Sequence, residues 1–199
     1  MTAFALGITR VDLLRHGQTV GGEGYRGSTD DALSLTGWQQ MRAAVGGAGD
    51  WSHIVSSPLK RCVDFTLELA RARDIPYEID KHLSEIHFGD WEGQTASQLM
   101  ATHPEHLARF WADPMHNSPP NGEMLSEFEW RVLESWNDHT RVYSGEHLLF
   151  VTHGGPIRTI VGHLQNLSWR ERFALTVPHA SMTRVESRGR IAQNRAEPT

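Results

Sequence analysis

The chain has 199 residues, a formal net charge of −5 and one cysteine. The acidic balance predicts neither a nucleic-acid surface nor an anionic-membrane surface, and the length suits a single domain, 1–199, with one sizeable core. The lone Cys62 excludes an internal disulfide and fits a reducing compartment, hence a cytoplasmic location.

Met1–Gly7 lacks a basic segment followed by a long apolar one, so no signal peptide is expected. No apolar run approaches the ~18 residues that a membrane span needs. Ile8, Val11, Leu13 and Leu14 then predict a strand over 8–15. It stops at Arg15-His16-Gly17-Gln18-Thr19. A cation and a titratable nitrogen are costly to bury. Where a core strand emerges, they fall at the carboxyl end, the ligand-binding edge of open α/β sheets.

A helix is expected from about Ser34 to Val45 with Thr36 as N-cap, then a short strand over 52–56 ending at Ser57-Pro58. Leu59, Cys62, Val63, Leu67, Leu69 and Ala70 have helical spacing, so Leu59 to Ala72 reads as a helix with Cys62 packed inside it. Arg61 lies in its first turn, next to a solvated Lys60. Residues 76–79 look like a strand.

Residues 83–122, rich in Trp, His, Gly and Pro, break this rhythm. They read as an excursion over the sheet's carboxyl edge, with short helices near 95–101 and 104–112. Within it, Glu85 offers a carboxylate, with Glu92 and Asp90 as competitors and His87 a structural or rim residue. His103-Pro104-Glu105-His106 reads as a helix start capped by Thr102 rather than a metal site, so no metal is expected. A helix over 124–139 and an apolar strand over 147–152 follow. His153-Gly154-Gly155-Pro156 opens a helix through Leu164. Residues 172–177 and 181–186 suggest closing strands, and the polar segment 187–199 a flexible tail.

Strands alternating with helices imply an α/β domain with a largely parallel sheet. On such a sheet His16, Arg15, Arg61 and His153 converge at one edge. Arginine forks match phosphate oxygens, and a glycine after each histidine lets backbone N–H groups approach an anion at a helix start. The expected guest is a tetrahedral dianion. Trp38, Trp51, Trp130 and Trp136 read as core, while Trp91 or Trp111 could wall a pocket for a flat base.

With these residues in place, the chain resembles the histidine phosphatase superfamily, whose fold is phosphoglycerate-mutase-like. The segments that carry the resemblance are Arg15-His16-Gly17-Gln18-Thr19, Ser57-Pro58-Leu59-Lys60-Arg61, Glu85 with Phe88-Gly89-Asp90-Trp91-Glu92-Gly93, and His153-Gly154-Gly155. The resemblance implies a three-layer αβα sandwich with a largely parallel sheet. It makes His16 the nucleophile, Glu85 the proton donor and His153 the second catalytic histidine. Arg15, Arg61, Gln18, Thr19 and Gly154 are the implied substrate-binding residues, with no cofactor. Where many relatives carry an asparagine, this chain has Gly22.

Tyr25 to Ser34, Phe110-Trp111-Ala112-Asp113-Pro114 and Pro119-Pro120-Asn121-Gly122-Glu123 look like the α-ribazole-5′-phosphate phosphatases of cobalamin assembly. The implied partner is a small phosphomonoester. A broad-specificity phosphatase of small metabolites, a cofactor-dependent phosphoglycerate mutase and a catalytically dead binding module are the alternatives. The chain is short for the extra loops of such mutases.

Overall fold

The computed structural model describes residues 7–22 and 24–188. The signal-peptide expectation and most of the expected tail therefore lie outside the described residues. Five strands form one sheet: β1 (Ile8–Arg15), β2 (His53–Ser56), β3 (Tyr77–Ile79), β4 (His147–Thr152) and β5 (Met182–Arg188). Their order is β3-β2-β4-β1-β5, with only β5 antiparallel. Seven α-helices accompany them among the described residues: α1 (Leu35–Val45), α2 (Lys60–Arg73), α3 (Ala96–Thr102), α4 (Pro104–Ala112), α5 (Leu125–Val142), α6 (Gly154–Leu164) and α7 (Trp169–Ala174).

The strands alternate their side chains between two cores, as the period of two requires. Leu13, Leu148 and Phe150 face α5 and α6, packing on Phe128, Val132, Trp136 and Ile160. Leu14, Leu149 and Val151 face α1 and α2, packing on Met41, Cys62, Phe65 and Leu69. β4 is buried along its whole length, as a strand covered on both faces must be. The result is the expected three-layer sandwich. A third cluster, Trp91, Leu99, Leu107 and Phe110, ties down the excursion.

Several local expectations need correction. Residues 172–177 are not a strand. Ser168 and Glu171 form a capping box that starts α7, and 175–177 are irregular. Ser34, not Thr36, caps α1, accepting from Gly37 N at 3.0 Å. His103 rather than Thr102 is the N-cap of α4, where Pro104 takes the first turn. Ser187 is not frayed, since it pairs with Thr9 in the β1–β5 ladder. Trp130 is 62% exposed on α5 and is not a core residue. Trp51 and Trp136 are buried as expected.

Candidate active site

Three parallel strands end level with one another. Arg15 pairs with Thr152, His16 N donates to Thr152 O at 2.9 Å, and Ser57 N donates to Val151 O at 3.0 Å. The ladder thus carries His16, Ser57 and His153 side by side past the sheet's carboxyl edge, where the sequence placed the two histidines.

His16 is 7% exposed. Its Nδ1 lies 2.8 Å from Gly17 O, an acceptor, so Nδ1 carries the proton and Nε2 keeps its lone pair. Burial, with Arg61 and Arg15 nearby, holds its pKa well below the ordinary imidazole value. The ring is therefore neutral at neutral pH, with the lone pair of Nε2 free. His153 meets it edge-on, with centroids 5.1 Å apart. His153 is fully buried, and both of its nitrogens are used: Nδ1 accepts from Arg61 Nε at 3.1 Å, and Nε2 donates to Ser57 Oγ at 2.7 Å. Burial again keeps it neutral.

Arg61 is also fully buried. Its Nη1 donates to Thr29 O at 2.6 Å, and its Nη2 to Gly27 O at 2.7 Å and Arg26 O at 3.3 Å. The structure therefore places Arg61 and His153 behind His16, as a floor of fixed charge and shape. Cys62 packs against this floor, its Sγ 3.6 Å from His153 Nε2, and burial pushes its thiol up to about 12. Such a thiol packs rather than reacts, as the helix pattern suggested.

The open walls of the cleft hold Arg15, Gln18 and Thr19 from the first motif, Glu85 from the excursion, and Arg158 and His179. Arg15 donates from Nη1 to Val177 O at 2.6 Å and from Nη2 to His179 Nε2 at 3.2 Å, while its Nε is buried without a partner. Gln18 is pinned through its backbone N to Gln40 Oε1 at 2.9 Å, and Thr19 bridges to Leu33. Gly22 is an open turn at φ +75° on the same wall, with no side chain to offer.

Glu85 accepts from Ile86 N at 3.0 Å and from Gly155 N at 3.0 Å. Gly155 leaves room for the Glu85 carboxylate: a β-carbon there would collide with it and push it from this place. Glu92, the competing acid, is fully committed elsewhere. It accepts from the backbone N–H groups of Gly27, Ser28, Thr29 and Phe88, and from the Thr29 hydroxyl, donors that hold its pKa down against burial. It clamps the loop that grips Arg61. Asp90 accepts from Asn121 Nδ2 at 3.0 Å, and His87 is exposed.

One expectation about glycine fails. No helix begins after His16. Gly17 instead lets the chain pass against Gly37 of α1, where a β-carbon would stand 2.8 Å from Gly37 Cα. Only His153-Gly154 opens a helix.

Beyond Glu85 the cleft continues into a cavity of about 320 Å³ walled by Tyr25, Phe88, Phe110, Trp111, Trp169 and Phe173. Trp111, 46% exposed, lines it; Trp91, 2% exposed, is a packing residue. Sequence reasoning missed Arg158, His179 and Ser57. Arg158 lies one turn beyond Gly154 on the same helix face, a spacing that could have revealed it. His179 sits in the loop before β5 and carries no such signal.

The family model for the histidine phosphatase superfamily (branch 1) matches residues 11–195. Among curated relatives, the chain is 36% identical over 158 residues to the bifunctional protein Rv2228c of Mycobacterium tuberculosis, covering 77% of this chain and 43% of that protein. It thus spans less than half the length of the first relatives it matches. Among solved structures, mycobacterial glucosyl-3-phosphoglycerate phosphatase in complex with VO3 superposes with a TM-score of 0.74 at 31% identity, over 88% of this chain and 91% of that one. The α-ribazole phosphatase of Shigella flexneri shares the fold, with a TM-score of 0.76 at 23% identity, over 88% and 89%. The chain belongs to the histidine phosphatase superfamily, branch 1.

Proposed function

We propose that this protein hydrolyses phosphomonoesters through a phosphohistidine on His16, and that α-ribazole 5′-phosphate is its substrate. The single observation that carries the reading is a continuous cleft with the free Nε2 side of His16 at one end and an aromatic cavity at the other. Tyr25, Glu85, Phe88 and Arg158 line both parts.

The geometry supports two in-line steps. His16 Nε2 attacks phosphorus, and the P–O bond to the alcohol breaks as Glu85 delivers a proton to the leaving oxygen. Water then attacks the phosphohistidine, gives its proton to Glu85 and releases phosphate and neutral His16. Phosphoryl transfer needs mainly positioning and neutralised oxygen charge, which the arginines supply.

A flat base suits the aromatic cavity. Phe110 and Phe173 stand 5.9 Å apart by centroid and Trp169 and Phe173 5.5 Å, so three rings from two helices, α4 and α7, face one space. Stacking on such walls favours a benzimidazole over a hydroxyl-rich sugar, whose donors would find few partners there. Glucosyl-3-phosphoglycerate is the competing reading, favoured by the relative at 31% identity named above. The test is a kinetic panel of both esters, phosphoserine, 3-phosphoglycerate and an aryl phosphate. The expected result is the highest kcat/KM for α-ribazole 5′-phosphate, without added 2,3-bisphosphoglycerate. A preference for the glucosyl ester would replace the substrate but keep the phosphatase. No turnover of any ester would remove both.

A further inference from the structure

We infer that Arg158 is a phosphoryl-binding residue, gripping the same phosphate as Arg15 from the other side of Gly154. The inference rests on the phosphatase reading and adds a residue that the motifs of the site do not contain.

Arg158 Nε donates to Leu175 O at 3.1 Å, which anchors the side chain and leaves the terminal nitrogens facing the cleft. A β-carbon on Gly154 would stand 2.8 Å from Arg158 Nη1 and 3.7 Å from Arg15 Nε. Two guanidinium groups therefore flank one point of the backbone. The like charges repel, the Glu85 carboxylate on the same wall offsets part of that repulsion at Arg15, and an anion seated between the two guanidinium groups would relieve the rest. Among the described residues, neither arginine makes an ion pair with a carboxylate. Arg15 Nε is buried and has no partner, so a donor is left waiting on the side where Arg158 arrives.

The other arginine of the site cannot fill this place. The Arg61 N–H groups are committed to three backbone carbonyls and to His153. Its charge acts through His16 and the floor, while Arg15, whose two terminal nitrogens each give one N–H to Val177 O or His179 Nε2, and Arg158, held through Nε alone, keep further N–H groups for an anion on the open wall. A phosphoryl group seated at His16 offers three non-bridging oxygens, enough for two guanidinium forks at once. Gly154 is then the spacer whose missing side chain lets both forks close on one anion.

The experiment measures binding of inorganic phosphate and orthovanadate by calorimetry, and inhibition of aryl phosphate hydrolysis, in wild type, Arg158→Ala and Arg158→Lys. A lost hydrogen bond to a charged partner predicts phosphate binding weaker by about 10- to 100-fold in the alanine protein. The same loss of kcat/KM should appear for a small aryl phosphate and for a large ester. Lysine, a point charge without the fork, should recover part of the loss, and added guanidinium ion should partly restore the alanine protein. Unchanged phosphate binding, with the loss confined to the larger ester, would overturn the proposal by assigning Arg158 to the leaving group. If the alanine protein fails to melt cooperatively, Arg158→Gln read by the same phosphate titration decides. A wild type that binds neither anion would instead sink the phosphatase reading itself.

Discussion

At the phosphate end of the cleft, position is set by backbone. His16, Ser57 and His153 ride on adjacent rungs of one parallel ladder, and Glu85 rests on the Gly155 N–H at the start of α6. At the leaving-group end, position is set by side chains packed on loops and short helices, with Trp111 on α4 and Phe173 on α7 both more than a third exposed. The first region fixes atoms to within a hydrogen bond, as covalent chemistry requires. The second offers shape and stacking surface that sequence change can redraw without touching the reaction. On the proposed reading, chemistry and specificity are separable in this molecule, and mutations at the two ends should fail in different ways.

The largest effect is expected at His16. His16→Ala should lower kcat on every substrate by on the order of 10⁴-fold or more, because no other group can form the phosphoenzyme. A residual rate near wild type on any ester would break the covalent account. Next comes Glu85→Gln, with a loss of roughly 10²- to 10⁴-fold. That loss should shrink for esters whose alcohols leave easily, such as nitrophenyl phosphate. An equal loss for good and poor leaving groups would deny Glu85 the role of acid.

Gly155→Ala probes the same acid through packing. The added carbon collides with the Glu85 carboxylate, and misplacing a catalytic group should cost about 10²-fold in kcat. Binding of inorganic phosphate should change little. A phosphate affinity that falls as far as kcat would show that the helix start itself had moved.

Trp111→Ala tests the other end. It should lower kcat/KM for α-ribazole 5′-phosphate about tenfold more than for a small phosphomonoester, the size of one lost stacking contact. Equal losses would make Trp111 part of the framework and merge the two regions.

The smallest effect is on stability. Burial, with Arg61 close by, holds His16 and His153 well below the ordinary imidazole value. The unfolded chain protonates these residues near pH 6.5, while the fold keeps them neutral. Unfolding therefore takes up protons, and stability falls as pH drops below about 6.5. Urea midpoints at pH 7.5 and pH 5.5 measure this. The pH-dependent difference should narrow in His16→Ala, and an unchanged difference in that variant would contradict the linkage.

The placement of the His16 end of the cleft was legible in the sequence because β-strand periodicity, strand-end histidines and glycines leave local traces. The chain's own order marks Arg15-His16 and His153-Gly154 as strand tips. What escaped was set by folding across distance. The sequence puts Arg61 at the sheet's edge but not its burial, which comes only when the 26–29 loop, clamped by Glu92, closes its carbonyls over the guanidinium. Glu92 looks like a candidate acid until those backbone donors claim it. Trp130 matches the apolar pattern of α5 yet points to solvent, since four-residue steps from Trp136 and Phe128 already fill the buried stripe. The start of α7 does leave a local trace, the capping box of Ser168 with Glu171, and that box outweighs the short 172–177 run as a guide to the element.

The most direct test of the central claim is to trap the intermediate. The enzyme is mixed with a ³²P-labelled phosphomonoester, quenched in alkali within the first turnover and digested for peptide mapping. The account predicts base-stable, acid-labile label on the peptide carrying His16, absent from His16→Ala and accumulating in Glu85→Gln when an aryl ester with a good leaving group is used. Label on another residue, or full turnover with no protein-bound phosphate at any time, would contradict it.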